Sequence, residues 1–402
     1  MSQRSMPRSF KALIPLSVLA LTLSACGGGA GGGDGDGGTI TIGYSGPLSG
    51  GAAIYGENAL TGIEMAVDTL NEQGVEVDGE KYTVEVESLD DQYLPNNAAT
   101  NAQRLVEQDD ATVVFIPHSG GILAAQQLNE GRTPFIIGAY SSDPAILESG
   151  NKLSNMIPPN FNGYGPPFVE QTMGKFGKRL GMLGTESEYG QNWAKLVSEE
   201  WEKQGGEVLT DNGVDYSTVT DYASTVSKTL SENPDVIFVG GPSQPTALVI
   251  QEAREQGFKG GFIVMDQAKF EEMELFTDPK NLVGSVGVRP ARDGDDPGVP
   301  EFHKRYAEEI TDEKPATSEV AYHFQTTAIY VKAMEIAGTV DDPEAIEEAL
   351  PEALEQVDDT FKVSEYPTTV NDKVHFISEN LEAVFYEGKD KYTLFPVPAP
   401  EE

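Results

Sequence analysis

The sequence predicts an α/β protein built as two similar lobes, each formed around a largely parallel sheet. Short apolar runs of the kind found in buried strands alternate with amphipathic helical stretches, which is the pattern of βαβ units. The same order of elements begins again near residue 160, so the second half resembles the first. The 402 residues are 39% hydrophobic, which is enough to fill more than one core.

Residues 1–25 have the features of an export signal. Three basic residues precede an apolar run at 13–23, which is too short to span a bilayer permanently but has the length of a signal-peptide core. The run ends in Leu-Ser-Ala-Cys, which resembles the bacterial lipobox, where the cysteine sulfur receives a diacylglyceryl group. We therefore predict that Cys26 is the lipidated first residue of the mature protein. It would anchor the chain to the cell membrane on the extracytoplasmic or periplasmic side.

Residues 26–38 are predicted to be a flexible linker, because a stretch made almost entirely of glycine cannot bury apolar surface. Cys26 is the single cysteine, so we expect no intramolecular disulfide and no Cys/His zinc site. The Gly-Asp alternation lacks the glutamate that closes a calcium loop, so we expect no metal and no cofactor.

The first series of strands and helices lies in residues 39–158. The strand TITIGY leads through a glycine-rich loop into a helix whose apolar residues between Leu60 and Leu70 share one stripe, and the strand KYTVEVESL follows. A helix at 96–108 precedes TVVFI and PFIIGA. Their unbroken apolar character is typical of parallel strands that are covered on both faces.

The second series occupies residues 159–283, where RLGML, DVIFVGG and GFIVMD are the predicted buried strands. One of its helices carries Trp193 and Trp201, and this spacing places both rings on one helix face. We interpret the two tryptophans as core packing rather than as a cage around a ligand.

The rest of the chain is predicted to complete both lobes. The strand VGSVGV is followed by helices near 300–310, 319–337 and 343–350 and by the β-rich segment VHFISENLEAVFYEG. We assign residues 284–380 to the first lobe and residues 381–402 to the second.

The charge of the chain excludes several classes of partner. Sixty-five acidic residues against 27 basic ones give a formal net charge of −38. This field repels DNA, RNA and anionic membrane surfaces, so we expect no nucleic-acid partner. A membrane contact would depend on the lipid at Cys26.

Ligands of open parallel sheets bind beyond the carboxyl ends of the strands, and unusual side chains follow several predicted strand ends in this chain. They include hydroxyl groups, one imidazole and one carboxylate, which together could recognise a small polar solute. The candidates identified in this way are Tyr55, His118, Ser119, Gly120, Tyr140, Ser141, Ser142, Tyr189 and Asp266.

Each candidate also has a structural interpretation. Ser119, Ser142 and Asp143 could cap helix N-termini, and the same termini suit a ligand carboxylate, so both roles are compatible. Asp266 could hold an ammonium group or be a solvated loop acid. His118 could contact the ligand or only order its loop.

Several segments in sequence order resemble the branched-chain amino acid binding family of solute receptors for ABC importers. These segments are TIGYSGPLSGGAAIYG, LNEQGV, SLDDQYLPNNAATNAQRLV, SEYGQNWAK and IQEAREQGFKG. The resemblance covers nearly the whole mature chain. It implies the type I periplasmic binding protein fold, with two Rossmann-like lobes joined by a hinge of crossing strands.

The resemblance also implies a role for each candidate. The loops at 118–120 and 140–142 would hold the carboxylate and ammonium of the ligand, and Asp266 would complete the ammonium site. Tyr55, Tyr189 and Tyr322 would line the pocket. The loop at 118–120 and the segment GGPSQP depart from the family pattern, so amino acids, amides, urea, aromatic acids and small peptides all stay open as ligands.

The function implied is that of a lipid-anchored extracytoplasmic receptor, which captures an amino acid or a related small polar solute and delivers it to ABC permease subunits. A sensing receptor of the same fold is one alternative. An extracellular amide hydrolase is another, but the chain has no G-x-S-x-G or H-E-x-x-H motif.

We predict that stability depends on salt. Removal of residues 1–25 deletes three basic residues and no acidic one, so the mature chain repels itself even more strongly, and dissolved ions would screen that repulsion. The melting temperature should therefore rise between low and molar NaCl. A melting temperature that stays flat over this range would indicate ordinary solubility tuning instead.

Overall fold

The computed structural model describes residues 36–310, 314–379 and 381–398. The predicted signal sequence, Cys26 and most of the predicted linker lie outside these residues. The linker prediction extends too far at its end, because residues 36–38 already belong to the first strand and pair with the segment around Lys81 and Tyr82. No helix within the described residues is both long enough and apolar enough to cross a membrane.

The first lobe is built on a sheet of six strands. These are β1 (Asp36–Gly46), β2 (Val75–Val77), β3 (Glu80–Asp90), β4 (Val113–Ile116), β5 (Ile136–Ala139) and β6 (Ser154–Met156). Their order in the sheet is β2-β3-β1-β4-β5-β6, and only β2 and β3 are antiparallel. β4 and β5 are fully buried, as expected for strands with helices on both faces.

The second lobe is built on a sheet of seven strands. These are β7 (Arg179–Gly184), β8 (Glu207–Asp211), β9 (Val236–Gly240), β10 (Gly261–Val264), β11 (Ser285–Val288), β14 (Glu382–Gly388) and β15 (Lys391–Pro396). The order is β15-β14-β11-β10-β9-β7-β8, with β14 antiparallel to both of its neighbours. A separate antiparallel pair is formed by β12 (Thr369–Val370) and β13 (Phe376–Ile377).

Helices connect the strands and cover the sheets. In chain order they are α1 (Ala53–Gln73), α2 (Pro95–Gln108), α3 (Ser119–Ala125), α4 (Ala145–Glu148), α5 (Gly165–Phe176), α6 (Glu188–Lys203), α7 (Ala223–Leu230), α8 (Ser243–Glu255), α9 (Phe270–Met273), α10 (Pro279–Leu282), α11 (Val299–Glu309), α12 (Ser318–Ala337) and α13 (Pro343–Gln356). Because helical crossovers return each parallel strand in the same direction, the carboxyl ends of these strands share one edge in each sheet.

The strand β11 corrects the predicted lobe boundary. We assigned residues from 284 onward to the first lobe, but Ser285 and Val286 pair with β10 of the second sheet. The strand SVGV has buried residues along its length, so it fills the position between β10 and β14. The chain therefore leaves the second lobe after residue 288 and returns at β14.

Both tryptophans of the second lobe are core residues, which confirms the prediction. Trp193 and Trp201 lie on α6 and are fully buried within one apolar cluster.

Helix α13 extends past its predicted end at 350 and includes Pro351. Short elements such as β2, β6 and α9 were not predicted, because three or four residues carry too little periodicity.

Helix α12 forms the centre of the first lobe and supplies residues of the cleft. Almost all of its side chains are buried, which is the pattern of a helix surrounded by protein. It packs closely against α1 at Gly62, where an added methyl group would overlap the backbone carbonyl of Val320. The absence of a side chain at Gly62 therefore sets the distance between the two helices.

We predict opposite effects for two glycine-to-alanine substitutions in helices. Gly62→Ala should lower the free energy of unfolding by about 1–3 kcal/mol, because α12 would have to move away from α1. Gly174→Ala in α5 is the matched control, since its added methyl group meets nothing within 4 Å. It should raise the free energy of unfolding by about 0.5–1 kcal/mol through helix propensity. Urea unfolding measures both, and a Gly62→Ala protein as stable as wild type would contradict this packing.

Candidate functional site

A cleft between the two lobes contains two adjoining spaces. The inner chamber has a volume of only ≈ 20 Å³, and the outer cavity has a volume of ≈ 430 Å³. Tyr140, Pro158, Asp266 and Lys269 border both spaces. The inner chamber lies just beyond the carboxyl ends of β4, β5 and β10, the edge at which open parallel sheets bind ligands.

The first lobe contributes hydroxyl groups to the inner chamber. The Oγ atoms of Ser119 and Ser141 lie 2.8 Å apart, and either can donate to the other. Ser142 Oγ lies 3.4 Å from the hydroxyl of Tyr189 in the second lobe. All three serines are buried, so their hydrogen bonds form where water competes little. Such a group of hydroxyls can donate to a ligand carboxylate.

His118 is held by contacts within the first lobe. Its Nδ1 accepts a hydrogen bond from the backbone N–H of Gly121 at 3.0 Å, so the proton of the neutral ring lies on Nε2, which donates to Asp91 at 2.9 Å. The ring of Tyr93 stacks on the imidazole with 4.7 Å between centroids. Because both nitrogens are engaged, His118 can offer ring carbons to a ligand but has no nitrogen free to act as a general base.

Three tyrosines form an aromatic wall along both spaces. The ring centroids of Tyr55 and Tyr140 are 6.3 Å apart, and those of Tyr140 and Tyr322 are 5.9 Å apart. Tyr55 donates its hydroxyl to the backbone oxygen of Pro117 at 2.7 Å, and Tyr322 donates to the carboxylate of Glu365. Burial raises the pKa of all three tyrosines well above the usual value, so they remain neutral hydrogen-bond donors.

Asp266 places a carboxylate from the second lobe at both spaces. Its Oδ1 accepts hydrogen bonds from the hydroxyl of Tyr189 and from Nε1 of Trp193, the latter at 3.0 Å. Both donors come from α6, so this helix holds the carboxylate in position. Burial, with the charge of Asp266 adding to it, raises the pKa of Tyr189 and keeps it a donor. Asp266 Oδ2 accepts no hydrogen bond from a described residue, so it is available to a ligand.

Direct hydrogen bonds join the lobes around the inner chamber. Each one pairs a group of the first lobe with a group of the second. They are Asn58 Nδ2 to Glu272 Oε1 at 2.7 Å, Gln267 Nε2 to the hydroxyl of Tyr93 at 3.1 Å, Asn192 Nδ2 to Asp143 Oδ2 at 2.8 Å, and the backbone N–H of Gly51 to the oxygen of Ser217 at 3.1 Å. The cleft is therefore closed in this arrangement.

A buried cluster of charges lies beside the chamber. The ammonium of Lys269 is 3.1 Å from Glu319 Oε1, and their side chains are 5% and 1% exposed. Neither oxygen of Glu319 accepts a well-aligned hydrogen bond from a described residue, so charge rather than hydrogen-bond geometry holds this pair. Burial, reinforced by the charge of Glu319, raises the pKa of Glu272 and raises that of Glu271 to about 7. Within the described ranges, no three His, Cys, Asp or Glu residues are grouped to bind a metal ion.

The structure brings most of the predicted binding residues together. The inner chamber is lined by Tyr55, His118, Ser119, Tyr140, Ser141, Ser142, Tyr189 and Asp266. Tyr322 lines the outer cavity instead. Gly120 lines neither space, because a side chain at this position would point toward Pro95 of α2. Their roles in binding stay predictions.

Sequence reasoning missed several residues that line the two spaces. Tyr93, Gln267 and Lys269 border the inner chamber, and Glu365 borders the outer cavity. Gln267 and Lys269 closely follow Asp266, so the end of β10 could have signalled them. Glu365 lies in an irregular segment far along the chain, where no sequence pattern indicates a position at the cleft.

Comparison with known protein families agrees with the fold. The family model described as periplasmic binding protein matches residues 39–378. A leucine-binding protein from Thermotoga maritima has a TM-score of 0.72 at 21% identity, covering 90% of this chain and 99% of that one. A branched-chain amino acid transporter substrate-binding protein from Streptococcus pneumoniae, solved with isoleucine, has a TM-score of 0.72 at 18% identity, covering 89% and 99%. At these identities the likeness shows the type I periplasmic binding protein fold.

The match spans 60% to 70% of the length of the curated relatives that follow. A Leu/Ile/Val-binding protein homologue from Brucella melitensis is 28% identical over 267 residues, which is 63% of both chains. An amino acid binding protein from Pseudomonas aeruginosa is 26% identical over 282 residues, or 68% of this chain and 70% of that one. The Leu/Ile/Val-binding protein of Citrobacter freundii is 24% identical, and the match spans 60% of its length.

We predict that Glu271 makes stability fall as the pH rises. Its pKa is about 7 in the folded protein against a usual value of 4.5, so the folded state keeps its proton to a higher pH than the unfolded chain does. The free energy of unfolding should therefore fall between about pH 4.5 and 7, by on the order of 3 kcal/mol, and stay lowered above that range. Glu271→Gln removes the ionisable carboxyl group and with it this loss of stability. The variant should be more stable than wild type at pH 8 but not at pH 4.5.

Urea unfolding from pH 4.5 to 8 measures the difference. The exposed Glu199→Gln on α6 is the control and should follow wild type at every pH. Parallel pH profiles of Glu271→Gln and wild type would contradict the assignment.

Proposed function

The chain belongs to the periplasmic binding protein family, and from this membership we propose that it is the solute receptor of an ABC importer, which captures an amino acid or a related small polar solute between its lobes. The observation that carries the proposal is the pairing of opposite chemistry across the inner chamber. A carboxylate at Asp266 belongs to one lobe, and the hydroxyls of Ser119 and Ser141 belong to the other. An amino acid has an ammonium for the first and a carboxylate for the second.

In this proposal, the ammonium of the solute lies at Asp266 Oδ2, since Oδ1 is already engaged by Tyr189 and Trp193. The carboxylate lies at Ser119 and Ser141, with Ser142 beside them. The tyrosine wall packs against the carbon atoms between the two groups. A solute held in this way touches both lobes at once.

Simultaneous contact with both lobes couples binding to closure. A solute that contacts both sides stabilises the closed arrangement over an open one by its difference in affinity for the two. The hydrogen bonds from Asn58 to Glu272 and from Asn192 to Asp143 add to this closed arrangement. We propose that permease subunits recognise the closed form.

We further propose that the protein is tethered by lipid at Cys26, outside the described residues. The support is the sequence alone, with its short apolar run ending in Leu-Ser-Ala-Cys. One acyl chain gives only marginal attachment to a membrane, while two or more hold a protein firmly. The glycine-rich segment after Cys26 would let the lobes reach a permease.

We predict that binding depends on the charge of Asp266. A thermal-shift screen of amino acids, amides and urea identifies a solute, and calorimetry then gives its affinity for the mature chain carrying Cys26→Ser. Asp266→Asn keeps the shape of the side chain but should weaken binding of an amino acid about 10- to 100-fold, because a charge-assisted hydrogen bond is lost. The exposed Glu202→Gln is the control and should bind as wild type does.

Uptake of the same solute by cells tests the importer. Deletion of the gene should abolish uptake and wild type should restore it, whereas Asp266→Asn should reach the membrane without restoring uptake. Cys26→Ser should leave the membrane fraction. Normal uptake after deletion would argue for a sensing role, and a Cys26→Ser protein that stays with the membranes would contradict lipid anchoring.

A further inference from the structure

The sizes of the two spaces restrict where a solute can lie. The inner chamber, at ≈ 20 Å³, is too small to take the side chain of a solute along with its charged groups. A solute held at Asp266 must therefore extend into the outer cavity of ≈ 430 Å³, which lies in the size range of small-molecule sites. The residues around the outer cavity thus decide which side chain the protein accepts.

The two basic residues of the outer cavity already have carboxylate partners. Arg289 lies 3.0 Å from Glu382 and 3.2 Å from Asp295, and Lys269 lies 3.1 Å from Glu319. Among the described residues, no basic side chain lies within ion-pair distance of the remaining acids at the cavity wall. They are Asp266, Asp296, Glu365 and Glu379.

Two of these acids, Asp296 and Glu365, line the outer cavity but not the inner chamber, and both are less exposed than Glu379. Both are only partly exposed, and burial raises the pKa of each carboxyl group. Glu365 accepts the hydroxyl of Tyr322, and Asp296 accepts backbone N–H groups of Glu365 and Tyr366. Neutral donors thus orient both carboxylates. The positive charges of Arg289 and, for Glu365, of Lys269 also attract them, but from beyond ion-pair distance and while paired with other acids.

The general acidity of the chain does not account for this arrangement. Acids outnumber bases around the cavity in about the same ratio as in the whole chain. The ratio alone therefore does not distinguish the cavity from the rest of the protein. An exposed surface acid is solvated by water and needs no partner. A partly buried carboxylate loses much of that solvation, and a nearby positive charge then becomes favourable.

Gln267 gives an independent indication of a nitrogen-bearing ligand. Its side chain lines the inner chamber and the residue is only 6% exposed. Its Nε2 donates to the hydroxyl of Tyr93, but its Oε1 is buried and accepts no hydrogen bond from a described residue. An unmet buried acceptor destabilises the folded protein, and a ligand N–H group would remove that cost.

We propose that the solute is an amino acid with a basic side chain. Its α-ammonium would lie between Asp266 and Gln267, and its distal cationic group would reach Asp296 and Glu365 in the outer cavity. The inference rests on the proposed function, because it takes the cleft between the lobes as the solute site. It adds that the second positive charge, rather than apolar bulk, selects the solute.

Two pairs of amino acids with the same carbon chain test the second charge. Arginine and citrulline differ in the charge of the side-chain terminus, and lysine and norleucine differ in a terminal ammonium. Calorimetry on the mature chain with Cys26→Ser should give at least about tenfold tighter binding of arginine than of citrulline, of lysine than of norleucine, or of both. Leucine and glutamine complete the set.

Variants of the residues around the two spaces test where the second positive charge binds. Glu365→Gln and Asp296→Asn keep the hydrogen-bond acceptors but remove a charge. Each should weaken binding of the preferred basic amino acid about tenfold and leave binding of its neutral counterpart unchanged. Gln267→Met removes the free acceptor at similar length and should weaken both members of a pair by several-fold. Glu202→Gln again serves as the control, and thermal unfolding checks that each variant is folded.

The outcomes separate this inference from the proposed function. Equal or tighter binding of norleucine, leucine and citrulline would overturn the basic-side-chain inference and leave the amino acid receptor in place. Failure of every amino acid to bind the folded protein would overturn both. A preference for arginine or lysine that survives Glu365→Gln and Asp296→Asn would also overturn the assignment to the outer cavity.

Discussion

The carboxyl edges of two parallel sheets face one cleft, and this constraint decides where the polar groups of the site lie. Strands β4, β5 and β10 are apolar along their length, so the first polar residues after each strand appear at the same edge. Ser119, Ser141 and Asp266 meet there although they are far apart in sequence. The fold therefore assembles a carboxylate and hydroxyl groups around one point without any local sequence motif.

The buried charges of the cleft are costly for the folded state. A pair such as Lys269 and Glu319 loses its hydration on burial, and its mutual attraction only roughly offsets that loss. Glu271 adds a carboxyl group whose pKa is raised by burial, so its ionisation opposes folding. These groups contribute more to the relative placement of the two lobes than to the stability of the fold. Lys269 precedes α9 in one lobe and Glu319 begins α12 in the other, so their attraction aligns elements on opposite sides of the cleft.

The sequence predicted the parts of this structure that depend on local pattern. The long strands and helices have clear periodicity, and the residues at strand ends followed from the rule for parallel sheets. The placement of β11 was wrong because an apolar strand fits either sheet until its neighbours are known. The unmet amide oxygen of Gln267 and the carboxylate of Glu365 could not be recognised for a similar reason, because they depend on neighbours that are distant in sequence. Gln267 contacts Tyr93, 174 residues away, and Glu365 contacts Tyr322, 43 residues away.

In the proposed receptor, selection of the solute and closure of the lobes draw on the same free energy. In the proposed mechanism, closing the cleft moves Asp266, Asp296 and Glu365 into poorly solvated surroundings, where their carboxylates have no described cation within ion-pair distance. A solute that brings positive charge reduces this cost, so the closed form gains population in proportion to how well the solute fits. A neutral solute of the same shape would fill the cavity but leave the carboxylates without an ion-pair partner. The electrostatics of the outer cavity would then make closure, and with it recognition by a permease, depend on the identity of the bound solute.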